Sequence, residues 1–432
     1  MNEQSCQAKS TMEGEPEFAA FVAIDWANQK HYWSLRVAGS EKIERGELEN
    51  MPEAVEQWMA ELQLEFQGGP LAVALEQSRG ALVTMLSKYG QLHLYPVHPL
   101  TLAKYREAWY PSGSKNDRKD ADLILEILCR HRDHLRRLTP EAEPMRRLQF
   151  TVEDRRKLVD QRTALANQVI DRLKMYFPQI LTWFSDVTSP LVGDLLGRWG
   201  ILEELQRAKP ETLKKFFRQH NCRDEEKIQE RIEQIRRAVP ATHDTALIVA
   251  GRGMVRLWLK QIADLREEIA ALEKVSRELA SSQEDWEIYE SLPGAGEALT
   301  PRLMVAMGTR RERYESASDL QCFSGIAAVK EASGNSQWIH MRFACPKFLR
   351  QTFHEWAQCT IQFCDWAKTF YEEQRARKKS HHTAVRALAF KWQRILYRCW
   401  KDRKPYQEAI HLANQVKRAV PIQRLAKTVE MP

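Results

Sequence analysis

Acidic residues at the ends of predicted strands are the first candidates for chemistry in this chain. The segment from Phe18 to Val37 reads as an apolar strand, the carboxylate of Asp25, a short polar turn and a returning strand. Residues 19–24 are nearly all apolar, which is typical of a strand buried on both faces. A carboxylate at the end of such a strand costs free energy unless a positive group pairs with it. Asp25 is therefore either a functional carboxylate or a residue that caps a hairpin turn.

Three more acidic residues extend this pattern. Glu76 comes at the end of a second apolar segment, residues 71–77. Asp117 and Asp120 fall on a predicted helix, where a spacing of three projects both side chains from one face. Acidic residues that complement a helix N-terminus would have the same spacing. Asp122 points elsewhere on this helix but stays open as an alternative to Asp120.

The elements that position these acids follow a recognisable order. Three antiparallel strands come first, and then helices alternate with two further strands. An acid at the end of the first strand and another on the fourth is the RNase H arrangement. The predicted segments are strands within 18–49, a helix at 51–66, a strand at 71–77, a helix at 79–88, a strand at 92–97 and a helix from 98 onwards.

Long amphipathic helices follow this first region. One apolar stripe consists of Leu158, Leu165, Val169 and Leu173, and a second consists of Ile262, Leu265, Ile269, Leu272 and Leu279. Both predict long helices that form an antiparallel pair or an intermolecular coiled coil. Residues 182–245 between them read as irregular helices punctuated by prolines, with no function indicated.

The third region begins with a glycine turn. The Pro-Gly-x-Gly pattern that contains Gly294 and Gly296 precedes an apolar helix and resembles a helix-hairpin-helix turn. The exposed N–H groups of such a turn can hold a DNA phosphate, although any tight interhelical turn looks alike. Downstream helices combine tryptophan with arginine and lysine, a combination that suits nucleic acid. The nucleic-acid-binding residues predicted in this region are Gly294, Gly296, Arg342, Lys347, Arg350, Lys378 and Lys379.

The charge is distributed unevenly along the chain. The formal net charge is +7, yet residues 301–432 hold 24 Lys and Arg against 11 Asp and Glu. A basic C-terminal third predicts a polyanionic partner, most plausibly nucleic acid.

Composition excludes several other classes of protein. No apolar run approaches the ~20 residues that span a bilayer, and residues 1–17 lack an apolar signal region. We therefore expect a cytoplasmic protein with a loose N-terminal tail and no membrane contact. The eight cysteines form no CxxC pair, which argues against a zinc ribbon or a disulfide framework and indicates reduced thiols.

Six motifs in order resemble the DEDD transposases of bacterial insertion sequences, which include the bridge-RNA-guided serine recombinases. They cover both ends of the chain and leave the middle unsupported. The motifs are AIDWANQKHYWSL, ALEQSRG, KNDRKDADLI, SLPGAGEALTPRLMVAMG, DLQCFSGIAAVKEASG and FLRQTFHEWA.

The resemblance implies roles for particular residues. Asp25, Glu76, Asp117 and Asp120 would form an acidic tetrad that holds Mg²⁺ or Mn²⁺, since Mg²⁺ prefers oxygen ligands. Ser333 would attack the scissile phosphate and hold the DNA strand covalently until it is rejoined. Double-stranded DNA, a structured guide RNA and further copies of the chain, as a dimer or tetramer, are the implied partners.

The resemblance also implies a domain plan. A RuvC-like RNase H domain would occupy residues 18–148, a coiled-coil region with the helical insert 149–287, and a helical transposase domain 288–405. Tails would occupy 1–17 and 406–432. Because Ser333 lies more than 200 residues from the tetrad, another protomer could complete the site, with the long helices as a dimerisation arm.

Three function classes stay open on the sequence. The first is the transposase or recombinase just described. The second is a metal-dependent nuclease of the Holliday-junction-resolvase type, which needs the tetrad but not Ser333. The third is a non-catalytic nucleic-acid-binding protein. An actin-like sugar kinase also starts with a strand–Asp hairpin, but the chain shows no second glycine-rich phosphate loop.

Overall fold

The protein consists of two compact units, residues 1–140 and 141–432. A computed structural model describes residues 16–109, 117–334 and 336–413, without the side chain of Asp117. The predicted domain boundaries within residues 141–432 stay predictions.

The first unit is built on a five-stranded mixed sheet in the order β3-β2-β1-β4-β5. The first three strands are antiparallel, and β4 and β5 run parallel to β1. The order of elements predicted from the sequence is confirmed and is consistent with an RNase H-like domain. The elements are β1 (Ala20–Asp25), β2 (Lys30–Val37), β3 (Ile43–Glu49), α1 (Pro52–Glu65), β4 (Leu71–Leu75), α2 (Ala81–Leu86), β5 (Leu92–Pro96), α3 (Pro99–Trp109) and α4 (Asp117–His131).

Helices cover both faces of this sheet, and that explains its apolar central strands. Alternate residues of β1 and β4 pack with α1 and α2 on one face, including Val22 and Val73. The residues between them, such as Ala23 and Ala74, pack with α3 and α4 on the other face. Every residue of β4 is buried. A strand buried on both sides must be apolar throughout, so a carboxylate can be accommodated only where the strand ends.

Two long helices form the frame of the second unit. They are α5 (Glu143–Tyr176) and α11 (Thr245–Ser281). Arg155 pairs with Glu273 near one end of the pair, and Tyr176 lies against Gly251 near the other. The two helices therefore form an antiparallel pair within one chain, which is the first of the two arrangements predicted from the sequence.

The insert between these helices has its own core. Its helices are α6 (Gln179–Trp183), α7 (Pro190–Arg198), α8 (Leu202–Arg207), α9 (Pro210–Gln219) and α10 (Glu225–Arg237). Their apolar side chains pack with Val169 and Leu173 of α5 and with Val255 and Leu259 of α11. The insert is thus a small helical bundle seated on the long helix pair.

The C-terminal region is helical apart from one β-hairpin. Its elements are α12 (Trp286–Glu290), α13 (Gly296–Met307), α14 (Ala317–Phe323), β6 (Val329–Ser333), β7 (Ser336–His340), α15 (Lys347–Phe363), α16 (Asp365–Ala376) and α17 (His381–Asp402). β6 and β7 pair as an antiparallel hairpin, and Ser333 is the last residue of β6.

The tryptophans of α15, α16 and α17 lie in the core of this region, which corrects the prediction that the tryptophans of these helices serve nucleic-acid binding. Trp356, Trp392 and Trp400 are fully buried, and Trp366 is nearly so. Their indole N–H groups donate to buried partners, for example Trp400 to the Gly308 carbonyl at 2.9 Å. Rings held in this way are not available for stacking on bases.

Two predictions from composition can be compared with the structure. Over the described ranges, no helix is both long and apolar enough to cross a membrane. The cysteines described in the same ranges form no disulfide with one another.

Candidate active site

Asp25 and Glu76 end two neighbouring parallel strands of the sheet. In the register of β1 with β4, Ile24 lies opposite Leu75, and each acid is the next residue along its strand. Asp25 is buried and Glu76 is half-buried. Because the carboxyl ends of parallel strands meet at one edge of the sheet, this edge is where RNase H-like order predicts chemistry.

Asp120 is the most deeply buried carboxylate of this region. It lies on α4, which packs against β1, and it is 1% exposed. Its Oδ1 accepts a hydrogen bond from Arg106 Nε of α3 at 2.7 Å. This hydrogen bond and the charges of Asp120, Asp25 and Glu76 raise the pKa of Arg106 above its ordinary value. One guanidinium therefore interacts with three of the four predicted acids.

The two other aspartates of α4 differ in what the structure describes. Asp122 accepts hydrogen bonds from Ser34 Oγ at 2.7 Å and from Arg45 Nε at 3.0 Å. These contacts attach α4 to β2 and β3, and they give Asp122 a structural role distinct from that of Asp120. Asp117 is the first residue of α4, and its side chain lies outside the described residues.

The donor atoms at this edge suit a hard divalent cation. Asp120 Oδ2 is buried and accepts no hydrogen bond, so one carboxylate oxygen is left with its negative charge unsatisfied. Carboxylate oxygens are the ligands that Mg²⁺ and Mn²⁺ prefer. Among the described side chains, however, no three His, Cys, Asp or Glu residues are close enough together to hold a metal ion. The conformation described is one in which Arg106 supplies the positive charge.

Ser333 ends the first strand of the β6–β7 hairpin. It pairs across the hairpin with Ser336, and both serines are exposed. Gly334 follows with a φ of +56°, a backbone conformation that favours glycine in a tight hairpin turn. The hydroxyl of Ser333 is therefore presented at the tip of a short, exposed hairpin of the second unit.

The predicted nucleic-acid-binding side chains surround this hairpin in sequence but differ in exposure. Lys347 is exposed at the first position of α15, whereas Arg350 donates to the carbonyl of Arg342 at 3.3 Å. Lys378 is exposed with a φ of +60°, and Lys379 donates to Gln374 Oε1 at 2.7 Å. Lys347 and Lys378 are the most available cations of this set.

The glycine turn before α13 packs closely against α15. A Cβ at Gly294 would lie 3.0 Å from the backbone of Cys359 and of Thr360, and the φ of Gly294 is +69°. Gly296 has a φ of +55° but faces open space. Packing explains the need for glycine at 294, while phosphate binding by the turn stays a prediction.

Two features of the site were missed by sequence reasoning. Nothing in the local spacing marks Arg106, because its partner lies fourteen residues away on another helix. The hairpin did carry a signal, since Gly334 and Asn335 stand between two five-residue segments, and Gly-Asn is a two-residue hairpin turn.

Family models of transposases match both ends of the chain. A DEDD-type IS110 transposase model matches residues 22–178, which include the edge of the sheet just described. A model described as transposase of the IS116/IS110/IS902 family matches residues 287–372, which include the hairpin with Ser333.

Curated proteins of insertion elements align with almost the whole chain. The protein named as the mini-circle transposase for IS117 of Streptomyces coelicolor is 25% identical over 404 residues, 91% of this chain and 97% of that protein. The 43.6 kDa protein of insertion element IS110 from the same species is 22% identical over 401 residues, 90% and 96% of the two chains. The 42 kDa protein of IS900 from Mycobacterium paratuberculosis is 24% identical over 405 residues, 90% and 97%.

The sheet, the matched models and the aligned relatives define a DEDD-type transposase, an enzyme that acts on DNA. The chain belongs to the IS110 family of insertion-sequence transposases, so the resemblance found in its motifs is confirmed.

Proposed function

We propose that this transposase cuts and rejoins the DNA of an insertion sequence through a covalent phosphoserine intermediate at Ser333. Asp25, Glu76, Asp117 and Asp120 would hold Mg²⁺ or Mn²⁺ for this reaction. The main support is the placement of Asp25 and Glu76 side by side at the strand ends, with Asp120 buried beside β1. The exposure of Ser333 on the hairpin adds to it.

The proposed cleavage step conserves the phosphodiester energy. Ser333 Oγ forms a bond to the scissile phosphorus as the bond from phosphorus to the leaving strand breaks. The proton of the serine hydroxyl is lost and the released strand end gains one, so the step is balanced without water or ATP. Attack by a hydroxyl of a second strand reverses it and rejoins the DNA. A divalent cation supplies charge stabilisation to such a phosphoryl transfer.

Each part of the chain has a defined task in this proposal. The hairpin holds Ser333 where a DNA strand can reach it, while the buried strands keep Asp25 and Glu76 at a rigid edge. The basic C-terminal third would bind the DNA backbone. A structured guide RNA and a homo-oligomer, a dimer or tetramer, complete the proposal, and loss of strand exchange after RNase treatment would support the RNA component.

Substitution of Ser333 tests the central step. Ser333→Ala removes one oxygen from an exposed hairpin, so folding and DNA binding should persist. Protein–DNA adducts and strand exchange should fall by about a thousandfold or more, because the nucleophile is gone. The measurement is adduct formation with element-end DNA and Mg²⁺, resolved on a denaturing gel.

Two variants serve as controls for this experiment. Ser336→Ala removes the paired hydroxyl across the same turn and should leave adduct formation unchanged. Asp25→Ala should abolish both adducts and exchange by removing a carboxylate of the acidic site. Cleavage and rejoining at the wild-type rate in Ser333→Ala would contradict the serine mechanism and favour a resolvase-like nuclease. DNA binding without cleavage in every variant and in the wild type would leave only the non-catalytic class.

A further inference from the structure

Arg106 occupies a distinctive position for a residue outside the acidic tetrad. It is 23% exposed, and its partner Asp120 is 1% exposed, so their ion pair is largely shielded from solvent. The charges of Asp25 and Glu76 act on the same guanidinium. The guanidinium of Arg106 thus interacts with three of the acids that the proposed function assigns to the metal.

The ion pair is also incomplete. Arg106 Nε engages Oδ1 of Asp120, while Oδ2 is buried and accepts no hydrogen bond. A purely structural Arg–carboxylate pair at this depth would be expected to use both oxygens, because each unsatisfied buried oxygen carries a desolvation cost. The unused oxygen leaves Asp120 with capacity for a second cationic partner.

We infer that Arg106 is a positioning residue that acts as the counter-cation of the acidic site in the metal-free protein, and that it competes with a divalent metal for Asp120. The inference rests on the proposed metal site and adds to it a competitor from the chain itself. Arg106 holds the carboxylate of Asp120 in place when no metal is bound. Metal binding exchanges one positive charge for two, at the expense of the Arg106–Asp120 hydrogen bond.

A second arginine–aspartate pair of α4 supplies a matched control. Arg45 binds Asp122 through Nε at 3.0 Å, but this pair is more exposed, at 52% and 30% for the two side chains. Asp122 is two residues from Asp120, so both pairs attach the same turn of the helix. Removal of Arg45 breaks an arginine–aspartate contact of the same helix without taking a cation from the acidic site.

The test is the affinity of the full-length chain for Mn²⁺, measured by isothermal titration calorimetry at pH 8 and constant ionic strength. Arg106→Gln should bind Mn²⁺ about tenfold more tightly than wild type, on the scale of one lost charge-assisted hydrogen bond. The melting temperature of Arg106→Gln in EDTA should be lower than that of wild type. The increase in its melting temperature on addition of Mn²⁺ should be larger than that of wild type. Arg45→Gln should lower the melting temperature without changing the Mn²⁺ affinity.

Each outcome decides between the inference and the proposed metal site. Equal Mn²⁺ affinity in wild type and Arg106→Gln, or weaker affinity in the variant, overturns the inference while the metal site stands. Wild-type affinity that survives in Asp120→Asn, or no Mn²⁺ binding in any variant, overturns the metal site and the inference with it. If Arg106→Gln does not fold, Arg106→Lys keeps the charge without the planar guanidinium and should shift the affinity in the same direction by less.

Discussion

Glu355 of α15 is shared by two arginines from different helices. Its carboxylate pairs with Arg156 of α5 and with Arg302 of α13, and Arg302 is 3% exposed. Burial lowers the pKa of Arg302 below its ordinary value, which shows how costly the charge is at this depth. Glu355 is thus the group that makes a buried guanidinium tolerable in the core of the second unit.

Loss of this shared carboxylate should destabilise the second unit. Glu355→Gln leaves the buried guanidinium of Arg302 without its counter-charge, while Arg156 keeps its pairing with Asp160. We expect a loss of about 2–4 kcal/mol in unfolding free energy. Because the side chain of Glu355 is 35% exposed, the expected loss of unfolding free energy is smaller than for a fully buried pair. Urea denaturation monitored by tryptophan fluorescence measures this loss.

A surface pair of the same unit gives the control. Glu297 pairs with Arg277, but both side chains are more than half exposed. Glu297→Gln should therefore cost no more than about 0.5 kcal/mol. A cost for Glu355→Gln as small as that of this control would contradict the assigned role of Glu355.

His31 on β2 makes the stability of the first unit depend on pH. It is fully buried, its Nδ1 accepts the N–H of Ala27 at 3.1 Å, and burial lowers its pKa. The unfolded chain takes up a proton below a pH of about 6.5, whereas the folded protein does so only at lower pH. Stability should therefore fall as the pH drops through this window, by at most about 1.4 kcal/mol per pH unit.

His31→Asn removes the titrating ring and keeps an acceptor for the Ala27 N–H. Its stability should depend less steeply on pH below 6.5 than that of wild type. Hydrogen exchange of the amides of β1 and β2 measures the first unit separately from the second. An unchanged pH slope in His31→Asn would exclude His31 as the source.

At the scale of the elements, apolar strands were the most predictable part of the chain. β1 and β4 are buried on both faces, so their composition alone marks them, and the acids that follow mark the edge of the sheet. The roles of these acids stay predictions. The β6–β7 hairpin was missed because almost all its residues are exposed, which leaves no burial pattern to detect.

Side-chain partners between helices were the least predictable part. Trp356 on α15 and Trp392 on α17 are both buried, but local helical spacing does not tell which face of each helix meets the core when several helices pack together. Arg106 was missed for the same reason, because its importance depends on the approach of α3 to α4. Such approaches are set by tertiary packing and not by local sequence.

The glycine turn before α13 offers a prediction at this scale. Gly294→Ala should lower the unfolding free energy by at least about 2 kcal/mol, since a Cβ would meet the backbone of α15 in a left-handed conformation. Gly296→Ala adds only the conformational cost of about 1 kcal/mol, because its Cβ would face open space. Thermal denaturation of both variants separates the steric cost of the contact with α15 from the conformational cost of the left-handed backbone. Equal losses would show that contact with α15 contributes nothing.

At the scale of the molecule, the basic C-terminal third should govern binding to nucleic acid. Neutralising Lys378 and Lys379 together should weaken DNA binding and reduce the slope of log K against log salt by about one to two units. Lys378 should contribute more, because Lys379 is engaged with Gln374. Fluorescence anisotropy with labelled duplex DNA over a salt series measures both effects.

A pair of lysines from the first unit controls for net charge. Lys42 and Lys88 are exposed, and replacing both with glutamine removes the same charge from the chain. This control should leave the salt slope close to that of wild type. A similar change of slope in both double variants would mean that net charge, and not the C-terminal third, determines binding.

Tyr176 on α5 lies against Gly251 on α11, so the chain leaves the long helix pair and returns to it at one place. Both ends of the insert from α6 to α10 are therefore connected to the long helix pair at this place. Replacement of this segment by recombination between genes would leave the distance between the end of α5 and the start of α11 unchanged. A replacement would need only an apolar surface that covers Val169, Leu173, Val255 and Leu259. Evolution can therefore vary this part of the transposase independently of the parts that carry its acids and its serine.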